Sequence, residues 1–214
     1  MRKIVLLLGF GPFLLLLFAL ALWRLWPSAP VPETRLFLLG EKKLRFTSAY
    51  LRVSAEPDDN RIDLVALAPD FAPVSTAQVI APNAEPAQGG RAQIFITLTP
   101  AFRDSGGPAT PGERYAGFLS PDAQMAEGGL LRRRFDDASP FAGEDLFLAP
   151  PDGEEFAARC PRPKIPTDGL PNSCLADFKI EGVAAQMRFD SAWLPQWSRL
   201  RANLFLLVRS AVQP

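Results

Sequence analysis

Histidine is absent from all 214 residues. That gap removes Ser-His-Asp and Cys-His nucleophilic machinery, the H-E-x-x-H zinc proteases and the usual three-ligand catalytic zinc sites, each of which needs imidazole as base or ligand. Cysteine is scarce: Cys160 and Cys174 are the two in the chain. They lack the further soft ligands of a metal site and the C-x-x-C spacing of a redox pair. Lysine supplies only five of 23 basic residues, and the Arg, Ala and Pro richness that goes with this reads as genomic base composition. An excess of one charge is missing as well. The chain has 23 basic and 23 acidic residues, and setting aside the three basic residues of the first 26 leaves the rest slightly acidic. Nucleic-acid binding needs a concentrated basic face, so no nucleic-acid partner is expected.

What is present first is one long apolar run. Ile4 to Trp23 holds twenty consecutive residues without a charge, and at about 1.5 Å of rise per residue such a helix spans a roughly 30 Å hydrocarbon core. Arg2 and Lys3 precede it, and Trp23, Arg24 and Trp26 stand at its far end, where indole rings suit the headgroup layer. The pattern predicts a single-pass anchor in the cytoplasmic (inner) membrane, N-terminus inside and C-terminal domain outside the cytoplasm. A cleaved signal peptide is the alternative, with Ala19-Leu20-Ala21 as its A-x-A site. Gly9, Gly11 and Pro12 can kink a spanning helix, but no G-x-x-x-G spacing points to a partner helix.

The organisation expected is therefore residues 1–26 as anchor or signal peptide, 27–33 as a Pro-rich linker, and 34–214 as one exported, β-rich domain. In an oxidising compartment Cys160 and Cys174, fourteen positions apart across a Pro-rich loop, form a structural disulfide worth about 3 kcal/mol in the chain-entropy model.

Along the domain, Arg35 to Leu39, Leu44 to Val53, Arg61 to Ala68 and Ala92 to Thr99 read as strands, the last with Ile94, Ile96 and Leu98 on one face. Asp58, Asp59, Asn60 and Asp63 are hard oxygen donors, but their spacing fits a solvated turn rather than a calcium loop. Residues 69–90 are Ala/Pro-rich and weakly periodic, which fits a functional flap, a partly disordered excursion or a stretch hiding a short element. Arg114 to Leu119 reads as another strand after a Gly/Pro-rich turn. Leu130 to Asp137 carries Arg132, Arg133 and Arg134, a possible anion-gripping interaction patch, beside Asp136 and Asp137, which can neutralise it. Asp145 to Leu148 and Glu155 to Arg159 are short strand candidates.

The C-terminal fifth is the most patterned. Phe178 and Ile180, then Val183, Ala185, Met187 and Phe189, alternate about Glu181-Gly182 and read as a tight hairpin. The period then changes: Leu194, Trp197, Leu200, Leu204, Leu207, Val208 and Ala211 recur at three and four, so Ser191 to Val212 is an amphipathic helix capped by Asp190 or Ser191, with Pro195 tolerable only in its first turn. The fold class expected is α+β: an N-terminal transmembrane helix, then a mainly antiparallel β-sheet domain with the C-terminal helix packed on it.

Two stretches resemble known patterns. Phe46 to Leu51 (FTSAYL) with the downstream Pro69-Asp70-Phe71-x-Pro73 resembles uncharacterised membrane-anchored envelope, or periplasmic, proteins of proteobacteria, and the hairpin followed by a terminal W-x-x-L helix is similar to some exported immunity-type proteins of secretion systems. Neither resemblance carries catalytic residues. Three functions stay open. One is a non-enzymatic, membrane-tethered envelope protein that binds another protein in an accessory or immunity-like role. The second is an envelope hydrolase working through paired carboxylates such as Asp152, Glu154 and Glu155, which glycosidase chemistry permits without histidine. The third is a structural subunit of a membrane complex. No cofactor or metal is implied by any motif.

Overall fold

The computed structural model describes residues 33–52, 60–74, 93–101, 110–162 and 173–213. Two short strands, β1 (Thr34–Leu39) and β2 (Lys42–Thr47), form a separate antiparallel hairpin. A nine-stranded sheet, antiparallel at every pairing, is assembled from β3 (Ile62–Leu67), β4 (Ala72–Pro73), β5 (Gln93–Pro100), β6 (Leu119–Met125), β7 (Leu131–Phe135), β8 (Glu144–Leu148), β9 (Ala157–Pro161), β10 (Ser173–Ile180) and β11 (Val183–Asp190). Its order is β4-β3-β5-β11-β10-β9-β8-β7-β6, so the C-terminal hairpin lies in the middle and joins the early strands to a meander of later ones. Helix α1 (Pro111–Tyr115) precedes β6, and α2 (Trp197–Ala211) follows β11.

The α+β class, the antiparallel sheet and the C-terminal helix stand as the sequence predicts. The expected spanning helix of residues 4–23, the linker up to residue 32 and the acidic pair Asp58 and Asp59 lie outside the described residues. Among the described residues no helix is long and apolar enough to cross a membrane.

The hairpin of β10 and β11 closes through Glu181 and Gly182, with φ of 51° and 83°, the two positive values that a two-residue turn needs to match strand twist. The terminal helix begins later than its periodicity suggests. Pro195 has no amide hydrogen to donate, and Ser191–Gln196 forms a 3-10 segment whose N-cap Asp190 accepts from Ala192 N at 2.9 Å, before the α-helical stretch starts at Trp197. From there Leu200, Leu204 and Val208 are fully buried and Ala211 nearly so. They share one apolar cluster with Ile180, Val183, Ala185 and Met187 of the sheet and with Leu39, Leu44 and Phe46 of the hairpin. The chain end is tied down as well: Gln213 N donates to Lys43 O at 2.9 Å.

Two strand expectations are corrected. The run from Leu44 to Val53 is not one strand: β2 ends at Thr47, and Ser48–Tyr50 turns as a 3-10 segment. That turn brings the Tyr50 hydroxyl within 3.0 Å of Phe71 O, to which it donates, and burial raises the phenol above its ordinary pKa. The two stretches that carried the first resemblance therefore meet in space. The Pro69–Phe71 turn is also held from α2, by an Arg199–Asp70 ion pair and by Asn203 Nδ2 donating to Pro69 O at 2.8 Å. The other correction concerns residues 114–118, which are helical. Thr110 and Glu113 form a reciprocal capping box and Pro111 opens the first turn, a combination that stabilises a helix start more than the short alternation of R-Y-A-G-F stabilises a strand.

A second, smaller cluster of Leu119, Phe135, Leu146 and Leu148 packs with Tyr115 and Phe141. In β8 and β9, Leu146 pairs with Arg159 and Leu148 with Ala157, while Ala158 and Cys160 belong to the larger core. Side chains alternate faces along a strand, so the small cluster lies on the opposite face of the sheet from α2. Cys160 and Cys174, on adjacent strands, are joined as a disulfide and are both buried.

Candidate interaction face

Over the central strands the face opposite α2 carries no helix among the described residues, and its side chains follow from the register. Directly opposed residues form one row across the sheet: Arg133 on β7, Leu146 on β8, Arg159 on β9, Leu175 on β10, Arg188 on β11, Phe95 on β5 and Val65 on β3. Arginine alternates with an apolar residue, so the guanidinium-bearing positions recur every second strand, roughly 10 Å apart. The row beside it is polar: Asp63, Thr97, Gln186 and Asp177 are paired in sequence across β3, β5, β11 and β10. That row is tied together, since Thr97 Oγ1 donates to Asp63 at 2.7 Å and Gln186 Nε2 donates to Asp177 at 3.1 Å.

The arginines differ in what they already hold. Arg133 donates to Ser120 O at 2.8 Å. Arg159 reaches Glu144 at 3.3 Å and stacks over Phe141 at 4.7 Å. Arg188 has no side-chain partner among the described residues and is exposed. Phe95, opposite it, is 39% exposed, and Arg52 lies over the same ring, 5.5 Å from its centroid. Arg52, Phe95 and Arg188 thus form an aromatic platform flanked by two guanidinium groups. They line a groove of about 500 Å³ with Arg61, Thr97 and Gln186. A smaller groove of about 230 Å³ follows on the same face, lined by Arg114, Tyr115, Arg159, Leu175 and Asp177.

The predicted Arg132–Arg134 patch is divided by the strand. Arg132 and Arg134 point to the α2 side, where Arg132 Nε donates to Asp145 at 2.7 Å and Arg134 pairs with Asp137 at 2.9 Å. Arg162 joins both acids, at 3.7 Å from Asp145 and 3.2 Å from Asp137. Asp145 is only 3% exposed, so two guanidinium groups serve one buried carboxylate. Hydrogen bonds from Arg134 and Arg162 hold the Asp137 carboxyl below its ordinary 3.8. Arg133 alone of the triplet points to the face opposite α2, where it is half-buried.

The carboxylates considered for hydrolysis have structural settings. Asp152 accepts from Glu154 N at 3.1 Å and its carbonyl accepts from Gly112 N at 2.8 Å, which fixes a turn under α1. A Cβ on Gly112 would meet that carbonyl at 2.7 Å, so glycine is required for the approach. Glu154 and Glu155 are exposed in the same turn. Asp63, from the acidic cluster, is bound to Arg61 at 2.9 Å. No group of three or more potential metal-binding side chains occurs among the described residues.

The sequence reading missed Arg52, Phe95, Arg159 and Arg188. A signal was available in β5, where the inward set Ile94, Ile96 and Leu98 leaves Phe95 as an aromatic at an outward position. The convergence of residues 52, 95 and 188 depends on β5 lying between β3 and β11, which local periodicity does not encode.

No protein-family model matches this chain, and no curated protein sequence matches it. Among solved structures, it is similar to Smlt3025, an immunity protein of the Stenotrophomonas maltophilia type IV secretion system, with a TM-score of 0.56 at 16% identity over 86% of this chain and 94% of that one. The iron-regulated outer membrane lipoprotein FrpD of Neisseria meningitidis aligns at a TM-score of 0.49 and 11% identity, over 86% of this chain and 98% of its own. At 16% identity what is shared with the immunity protein is the fold alone.

Proposed function

We propose that this chain is a non-enzymatic, membrane-tethered protein of the cell envelope whose exported domain, residues 34–214, binds another protein through the open face of its central strands. The observation that carries the reading is the Arg52–Phe95–Arg188 platform. Arginine and aromatic side chains are the residues most enriched at the energetic centres of protein interfaces, where a planar cation and a flat ring give large contact at low entropy cost. Two guanidinium groups without acid partners among the described residues, on a chain that is slightly acidic outside its first 26 residues, select an acidic partner surface. An immunity-like role is the specific form of this reading, supported by the shared fold with a secretion-system immunity protein. Tethering rests on the uncharged run of residues 4–23, with residues 27–33 as spacer and the domain outside the cytoplasm.

Reversing the platform's charge tests the binding face. Arg52→Glu with Arg188→Glu is expected to abolish recovery of the partner that co-purifies with the full chain from envelope extracts. Both residues are exposed, so the melting temperature should stay within a degree or two. Undiminished recovery of the same partner moves the interface elsewhere. Orientation is tested separately by a C-terminal alkaline phosphatase fusion, which is active and membrane-bound if the domain is exported and inactive if the topology is reversed.

A further inference from the structure

The β1–β2 hairpin presents a face that the partner-binding reading does not use. Its register sets Leu36 opposite Arg45 and Leu38 opposite Lys43, so these four side chains share one surface. The other surface carries Leu39, Leu44 and Phe46, each at most 3% exposed in the main core. Leu36 and Leu38 are 60% and 56% exposed, and neither Lys43 nor Arg45 has a side-chain partner among the described residues. We infer that this face rests on the headgroup layer of an anionic bilayer, an inference that rests on the tethered topology proposed above.

Three observations favour lipid over a protein as the occupant. The hairpin is the first element after the linker, and the seven residues 27–33 reach at most about 25 Å when extended. A tether of that length keeps the hairpin beside the membrane surface at high effective concentration, where weak contacts suffice. The composition also suits that layer: apolar side chains enter the acyl boundary while flexible cations pair with phosphates at its edge. Finally the face is small. Two strands of this length offer about 200 Å², well below the roughly 800 Å² that each partner contributes to a stable protein interface. The hairpin then acts as a second membrane signal, fixing the orientation in which the domain presents its Arg52–Phe95–Arg188 platform.

The test uses the full chain. Cys160 and Cys174 are bonded to each other, so the thiol of a Leu38→Cys variant takes an environment-sensitive fluorophore selectively. The labelled protein is reconstituted into phosphatidylcholine vesicles with and without phosphatidylglycerol. The expected result is blue-shifted emission, quenched by lipids spin-labelled near the headgroup, in the anionic vesicles. Lys43→Gln and Arg45→Gln should each weaken that partitioning by about fivefold, while Arg188→Gln leaves it unchanged. Leu36→Cys should report the same behaviour. Water-like emission in both vesicle types overturns the inference, as does a blue shift that no lipid quenches, since a protein then covers the face. Alkaline carbonate extraction of the same vesicles separates the two levels. A retained chain with water-like emission removes the docking and leaves the tether, whereas an extracted chain removes both.

Discussion

The two ends of the large sheet bury opposite faces. Along β3, β5, β11 and β10 the inward set of Leu64, Ile96, Met187 and Ala176 packs under α2 and the β1–β2 hairpin, and on the outward side Phe95, Gln186, Arg188 and Asp177 are exposed. Along β6, β7 and β8 the order is reversed. Leu119, Phe135, Leu146 and Leu148 turn outward under Tyr115 and Phe141, and the side toward α2 carries the ion pairs of Arg132, Arg134 and Asp145. Every strand pairing is antiparallel with alternating faces, so the difference comes from which parity of positions is apolar. The consequence is a groove. Where one half changes its covered face for the other, the outward surface of the central strands is left open among the described residues between α1 and β3, and Phe95 and Arg188 stand there.

The largest effect should follow from breaking the helix-covered half. Leu204 is fully buried at the centre of the α2 stripe, and Leu204→Ala should cost about 2 to 5 kcal/mol, as buried leucine truncations do. Urea unfolding of the domain from Pro27 to Pro214 measures it as a large fall in midpoint at constant slope. An unchanged midpoint would mean that α2 does not close the core.

A smaller loss is expected in the other half. Phe141 is half-buried and makes edge contacts with Tyr115 and Phe118, 5.3 Å and 5.6 Å between ring centres. Phe141→Ala should cost about 1.5 to 2.5 kcal/mol from lost burial and ring contacts. Hydrogen exchange sharpens the comparison: faster exchange confined to β6, β7 and β8 supports two separately organised halves. Equal loosening of β5 and β11 would make them a single cooperative unit.

The smallest effect concerns the ion pairs beneath that half. Asp137 is held below its ordinary value by Arg134 and Arg162. Its folded-state pKa is lowered, so the stability it contributes is complete above the unfolded value and is lost as pH falls through the folded one. The group is fully exposed and screened, so Asp137→Asn should barely move the melting temperature at pH 7 while making the acid limb of a melting-versus-pH curve slightly shallower. A large loss at pH 7 would show a structural role beyond these pairs.

Legibility followed sequence distance. The β10–β11 hairpin was readable because alternation and Glu181-Gly182 act within a few residues, and α2 because its three-and-four period runs for more than three turns. The β6 strand was invisible: L-S-P-D-A-Q-M has no apolar alternation, as suits a mostly exposed edge strand carrying Pro121 and Asp122. At α1 two local signals compete, the capping box of Thr110 and Glu113 and the alternation that follows it, and the cap prevails. The disulfide was readable from two cysteines spaced across a Pro-rich loop, whereas the platform was not, because Phe95 and Arg188 lie 93 residues apart in sequence and meet through sheet order alone.

If the open face of the central strands meets the partner, crosslinking from that face captures it and crosslinking from the distal half does not. Phe95 on that face and Phe118 in the distal half are both 39% exposed, which makes them matched probes. A photo-crosslinking phenylalanine analogue placed at each position in the full chain, activated in intact cells, compares the two halves directly. One discrete adduct with an envelope protein is expected from position 95, lost when Arg52→Glu and Arg188→Glu are added, and none from position 118. The same adduct from position 118, or none from position 95 while the partner still co-purifies, would contradict it.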